Sequence, residues 1–562
     1  MAKSLKIVHN AVRAKIMDPD RDARLIVNQL LSYKIAEGIK GMGIAHGSMY
    51  DMTKDFFPAG FVRLVSKTLE KHGYRVVVQS AVVPEPLGPL QPVVSDFPPD
   101  SRYDYQSKTM ERLVQLKRMT AQVATGGGKS EIFKLCCERL NLPTLFITTR
   151  KSLMYQMAKG YRTVKSKRPI GFLGDGKWAP EPTGINFAIV DTLVSRMEVS
   201  SFDIELDKML EKHVALIEKE TERVFKKAGL PLNPSIARKA DDATKAKMTR
   251  VRDAINAKYK LDDRETRNKA QAIADKKEKI RAETVKFLET VGFLTLEEAH
   301  EVSGTGFFEL CNAMKNAHYR LALTATPNMK DSEEANMRLT AVSGTIGIRV
   351  SEKELIDKGI LARPIFKFPQ SKASAGISRG MSYSAAYERG IVKNAARNMQ
   401  IVQTAIDGKK YGLTTMVLVQ RTDHGDILAN LMKASGLKAA FIRGEDSQDV
   451  RQGALDSLAA GLLDVLIGTT ILDVGVDVPS VGQVVLGGGG KAEVAVRQRI
   501  GRGLRAKKKG PNVCFVFIFD DPWNNHTASH SRECRRIITD TPGFAENIVP
   551  AVDYEAFGFV KK

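Results

Sequence analysis

From about residue 101 the chain alternates short apolar runs with longer segments of helical spacing. The runs Met119–Val123, Leu145–Thr149, Ala188–Val190, Phe293–Leu296 and Arg320–Thr324 read as strands. After about residue 360 the pattern resumes with Thr415–Val419, Ala439–Ile442, Val465–Gly468, Val484–Leu486 and Val513–Phe519. Such alternation predicts parallel α/β sheets, here two consecutive α/β units.

Two regions break that rhythm. In the first 95 residues, the stretch from Phe57-Pro58-Ala59-Gly60 to Gly73 predicts a helix, with Pro58 in its first turn and Gly73 as its stop. Tyr74–Val78 then alternates as a strand. On that helix Arg63, Lys67 and Lys71 share one face, and Val62, Val65 and Leu69 share another. The basic ridge reads either as a solvated face or as a phosphate contact. Proline-rich segments over residues 85–100 predict an extended linker. The second region, 201–290, holds 22 Lys+Arg and 17 Asp+Glu with one glycine, Gly229. Leu206, Leu210, Val214, Ile217 and Val224 keep helical spacing, and the break at 228–234 predicts two long helices in an antiparallel hairpin.

Composition narrows the class. The 562 residues carry 86 Lys+Arg against 64 Asp+Glu, a net charge of +22, which favours a polyanionic partner. No apolar run approaches the roughly 18 residues of a membrane span, so no membrane partner is expected. The opening MAKSLKIVHNAVRAK lacks the apolar core of a secretory leader. Five cysteines without a CxxC pair predict neither a disulfide framework nor a structural zinc site, and fit a reducing cytoplasm.

Candidate chemistry centres on Ala124-Thr125-Gly126-Gly127-Gly128-Lys129-Ser130, which follows a strand and opens a helix. Glycines let backbone N–H groups approach phosphate oxygens, Lys129 reaches the β/γ-phosphates and Ser130 is placed for Mg²⁺. Downstream, the strand Phe293–Leu296 ends in Glu297-Glu298-Ala299-His300. Two acids delivered beside such a loop can hold Mg²⁺ and polarise water. Asp520, Asp521, His526 and His530 enforce no metal-ligand spacing, and Trp178 and Trp523 read as packing residues.

These strings, with Leu323-Thr324-Ala325-Thr326-Pro327, Ile467–Asp477, Gln498-Arg499-Ile500-Gly501-Arg502-Gly503-Leu504-Arg505 and Asp104-Tyr105-Gln106, resemble the motifs of superfamily 2 helicases in order and wording. The layout is most similar to phage UvsW-type branch-migration helicases, with a motor like those of RecG and XPB. That likeness rests on the Phe57 helix, the Tyr74 strand, Glu354–Pro364 and Ile391–Asn398.

The resemblance implies an α/β fold of two tandem RecA-like motor domains, residues 96–358 and 359–540. A small N-terminal α+β domain for duplex DNA covers 1–95, the helical hairpin 201–290 is inserted in the first motor, and 541–562 is a C-terminal extension. Residue by residue, it implies that Tyr105 and Gln106 read the adenine, while Thr125, Gly126, Gly127, Gly128, Lys129 and Ser130 hold phosphate. Ser130 and Glu297 take Mg²⁺, with Glu297 standing where the family usually has Asp, and Glu298 orients the water. His300, Thr324 and Thr326 couple nucleotide state to grip. Gly475, Asp477 and Gln498 line the same cleft, which Arg502 and Arg505 reach as arginine fingers. Arg150, Lys151, Thr192, Arg421, Arg443 and Thr469 face nucleic acid, together with Arg63, Lys67 and Lys71.

The function so implied is an ATP- and Mg²⁺-dependent DNA helicase or translocase that remodels branched DNA in recombination, repair or replication, in the cytoplasm of a bacterial host if phage-encoded. An RNA helicase shares the motor, and so does a translocase subunit. An ATP-switched scaffold recruiting a protein through 201–290 is the reading from a different class, and the insertion itself reads equally as a DNA-gripping arm or a tolerated, solvated excursion.

Overall fold

In the computed structural model, residues 3–35, 46–95, 100–164, 168–299, 304–327, 332–469, 481–488, 493–507 and 510–562 are described. They divide into two units, one formed by residues 1–190 with 290–562 and the other by 191–289.

The larger unit begins with a four-stranded sheet in the order Phe56–Pro58, Arg13–Met17, Ser4–His9, Arg75–Ser80. Helices Arg21–Leu31 and Val62–Lys71 bury Val27, Val65 and Leu69 with Ile7 and Ile16 of the sheet. The helix expected from Phe57 therefore starts later. Phe57 pairs with Ala14, so Phe57 and Pro58 finish a strand, and the chain turns through Ala59–Phe61 before the helix begins. Burial of both Phe57 and Phe61 decides this: a helix from Phe57 would forfeit the pairing that seats its ring. Gly60 is required there, since a Cβ would collide with the Thr340 carbonyl oxygen.

The first large sheet has eight strands, ordered Lys177–Ala179, Ile170–Gly174, Ile185–Ile189, Thr144–Thr148, Phe293–Glu297, Tyr319–Thr324, Arg118–Val123, Ile346–Val350. All pairings are parallel except that of the Lys177–Ala179 edge. Thr144–Thr148, Phe293–Glu297 and Tyr319–Thr324 are buried at every residue, which is why they read as apolar runs rather than alternations. The second sheet is parallel throughout, ordered Arg363–Lys367, Val513–Ile518, Gln483–Leu486, Thr415–Leu418, Val465–Gly468, Ala439–Ile442. Residues after 540 fold back onto it: Tyr554 stacks on Tyr411 at 4.7 Å and donates to Gln483 Oε1 at 2.9 Å.

The 191–289 unit corrects the two-helix expectation. Helix Phe202–Ala228 leads out, Pro234–Arg238 makes one turn, and the return is split into Asp242–Lys258 and Asp263–Leu288. Asp262 causes the split by capping the last helix, its side chain accepting from the Glu265 amide at 2.8 Å. Lys277 Nζ meets Glu205 Oε1 at 2.9 Å, which sets the first and last helices side by side. Phe225, Leu230 and Met248 make the unit's small core. Among the described residues no helix is long and apolar enough to cross a membrane.

Candidate nucleotide-binding site

Strand Arg118–Val123 ends at a glycine loop in which Gly126 and Gly128 take φ of 84° and 74°. Gly128 caps helix Lys129–Leu140, its carbonyl accepting from the Glu131 amide at 3.0 Å, so the positive end of the helix faces the glycine loop. The Tyr105 hydroxyl, buried, donates to the Gly127 carbonyl at 2.7 Å and braces the loop from behind. Gln106 lies over Gly128, where a Cβ would collide with its amide nitrogen. Thr125 faces Gly501 across the loop, and Ser130 is half-buried in the first turn.

Two strands away, Phe293–Glu297 brings its acids to the same place. Lys129 Nζ lies 3.0 Å from Glu298 Oε1 and 3.8 Å from Glu297 Oε1. Glu298 adopts φ +48°, a left-handed backbone uncommon outside glycine and typical of strained functional positions. Burial drives the Glu297 carboxyl well above the usual carboxylate range; the Lys129 charge opposes that rise and the Glu298 charge adds to it. Glu297 Oε2 is buried with no hydrogen-bond partner among the described residues. A divalent cation would satisfy that oxygen, so Ser130 and Glu297 fit Mg²⁺. Beside them Thr326 N donates to Thr324 Oγ1 at 3.1 Å, and both threonines are buried.

Helix Glu493–Gly503 of the second sheet's lobe closes the cleft. A Cβ at Gly501 would come within 2.8 Å of Thr125. Gln498 is buried on this helix, and Arg505 is exposed, its backbone bridged to Leu361. His300, Gly475, Asp477 and the Arg502 side chain lie outside the described residues. Sequence reasoning missed the ion pair that ties the lobes: Arg497 Nε lies 3.1 Å from Glu352 Oε1, with Nη2 on the same oxygen. Neither residue belongs to a motif string, so only their spatial meeting exposes them.

The candidate nucleic-acid contacts are dispersed. Lys151 pairs with Asp175 at 2.6 Å, Arg421 with Asp423 at 2.9 Å, and Arg443 with Asp426. Arg150 is exposed just before helix Lys151–Tyr161, Thr192 is half-buried in a helix, and Thr469 is buried at the end of Val465–Gly468. On helix Val62–Lys71, Lys67 and Lys71 are exposed and Arg63 is half-buried. Asp521 pairs with buried Arg397 at 3.1 Å, and the His530 ring lies 5.2 Å from that of Tyr383, tilted to it. Among the described residues no group of three His, Cys, Asp or Glu side chains could hold one.

A mostly parallel sheet that carries the glycine loop and the paired acids, and a parallel sheet that carries an arginine-bearing helix, form the α/β architecture of the helicases. Residues 101–329 match the family described as "Type III restriction enzyme, res subunit", and residues 397–507 match "Helicase conserved C-terminal domain". Together the two matched segments support a superfamily 2 helicase, a class of proteins that hydrolyse ATP. A helicase-named protein of Sulfolobus islandicus filamentous virus (isolate Iceland/Hveragerdi) is 26% identical over 44% of this chain and 46% of its own length. The ATP-dependent RNA helicase SrmB of Haemophilus influenzae is 31% identical over 19% of this chain and 24% of its own. The chain thus spans less than half the length of these curated relatives. The crystal structure of T4 UvsW is similar at 15% identity and a TM-score of 0.39, covering 97% of this chain and 99% of that one.

Proposed function

We propose that this protein is an ATP-dependent DNA helicase or translocase acting on branched DNA. The observation that carries the motor is the meeting of Lys129 with Glu297 and Glu298 at the start of helix Lys129–Leu140. The γ-phosphate of ATP draws Lys129 Nζ from the carboxylates, and Glu298 orients and deprotonates the attacking water. Ser130 and Glu297 would hold Mg²⁺, which would supply neutralisation of charge on the phosphate oxygens. Gly501 lies against Thr125, and on this reading Arg502 and Arg505 act as arginine fingers, so turnover depends on how the lobes close.

Branched DNA as the substrate rests on the motif layout and on the surplus charge. The naming of relatives such as SrmB as RNA helicases favours RNA as the second reading. Stimulation of ATP turnover by forks, four-way junctions, plain duplex DNA and duplex RNA, measured side by side, separates the two: junction DNA is expected to stimulate most, and a preference for RNA overturns the DNA reading. Lys129→Ala and Glu298→Gln are each expected to lower stimulated turnover by about 100-fold or more. Full turnover in either variant overturns the mechanism.

A further inference from the structure

The 191–289 unit is polarised in charge along its length. Residues 226–264, which contain the turn and the first return helix, hold eleven Lys+Arg and five Asp+Glu. The rest of 201–290 holds eleven and twelve. All eleven basic side chains of the distal part are exposed. Of its acids, Asp241 and Asp262, both exposed, cap helices, accepting from the Thr244 and Glu265 amides. The excess is therefore not cancelled locally.

On helix Asp242–Lys258 the arrangement is directional. Met248 and Ile255 are buried and Val251 is half-buried, which fixes the face turned to Phe225 and Leu230. At 100° per residue, Lys247, Arg250 and Lys258 fall on one flank outside that face. They span about 16 Å along the helix at about 1.5 Å per residue, a length over which a duplex carries about ten phosphate charges. Exposed cations in a row with no acid on the same flank of the helix, Glu220 of helix Phe202–Ala228 lying near Lys258, suit a polyanion read through its backbone rather than its bases.

We propose that the distal part of this helical unit is a nucleic-acid phosphate-binding surface, with Lys247, Arg250 and Lys258 as its centre, engaged independently of nucleotide. The inference rests on the nucleic-acid reading above and adds a site outside the motor motifs. Each phosphate contact contributes a slope of about −0.9 to the dependence of log affinity on log salt.

The test measures binding of a fluorescein-labelled DNA duplex by anisotropy across a salt series, without ATP. It compares the full chain with Lys247→Gln/Arg250→Gln/Lys258→Gln, and with a control that removes the exposed Lys212, Lys219 and Lys286 of the remaining helices by the same change. The distal variant is expected to lose about two to three units of slope, with the control near the wild-type value and far-UV circular dichroism unchanged in both. An unchanged slope in the distal variant overturns the proposal, as does an equal loss in both variants, which would mark a net-charge effect alone. Stimulation of ATP turnover by DNA, read in parallel, tests the motor reading separately: stimulation with no distal effect overturns only this surface.

Discussion

Lys129 is poised between two carboxylates, and that poise defines the site at the scale of single residues. The glycine loop, Lys129 and the acid pair were legible in sequence because phosphate chemistry demands those residue types in that order. The bracing of Gly127 by Tyr105 was not, since a residue expected to read adenine is buried with its hydroxyl on the loop's backbone. Another residue-scale feature is His424, buried in the second lobe with Nε2 on Asn398 Oδ1 at 2.9 Å. Burial first, then the Arg397 charge, lowers its pKa from 6.5 to about 3, with Asp423 opposing and Arg421 adding. Below about pH 6.5 the unfolded chain takes up a proton that the folded chain refuses until about pH 3, so this residue costs stability as the pH falls through that window. The cost grows by up to about 1.4 kcal/mol per pH unit. Thermal unfolding midpoints of wild type and His424→Gln between pH 7 and pH 5 check it: the wild-type advantage is expected to shrink on acidification, and a constant difference contradicts the assignment.

At the scale of elements, helix Glu493–Gly503 meets the first lobe through the Arg497–Glu352 pair, both side chains largely shielded from water. A half-buried pair that loses one partner strands the other, so single changes should hurt more than the swap. Glu352→Arg and Arg497→Glu are each expected to lower kcat/KM for ATP, with the double exchange recovering part of the loss and a coupling of about 1–3 kcal/mol. Additive losses would show that the pair does not position the helix. The apolar signal is thin in strands Ile170–Gly174, Lys177–Ala179, Ile346–Val350 and Arg363–Lys367, which the sequence pattern does not reveal. The first two are joined by Asp175-Gly176, both at positive φ, a turn whose Asp-Gly signal would have found the hairpin. Phe57 was misassigned for a different reason, because its strand partner lies 43 positions earlier, at Ala14.

Across the whole molecule, the two units differ in the depth of their cores. The central strands of the two large sheets are buried at every position, whereas the apolar cluster of the 191–289 unit is small, built on Phe225, Leu230 and Met248. Local opening should therefore cost less in the helical unit. Hydrogen exchange read by mass spectrometry is expected to show amides of 202–288 exchanging at least about tenfold faster than those of Tyr319–Thr324 and Val513–Ile518. Equal protection would mean that the small core does not limit the unit's stability. By itself the sequence determined the α/β alternation, the phosphate loop and the acid pair, because strand burial and phosphate binding are written in contiguous residues. Only the tertiary structure decided that Arg497 meets Glu352, that Tyr105 braces Gly127, that Lys151, Arg421 and Arg443 are held by acids, and that the return arm of the insertion is broken. Apart from the break, each of these joins residues through side-chain geometry and burial, which hydrophobic periodicity does not encode; the break turns on whether one aspartate caps a helix.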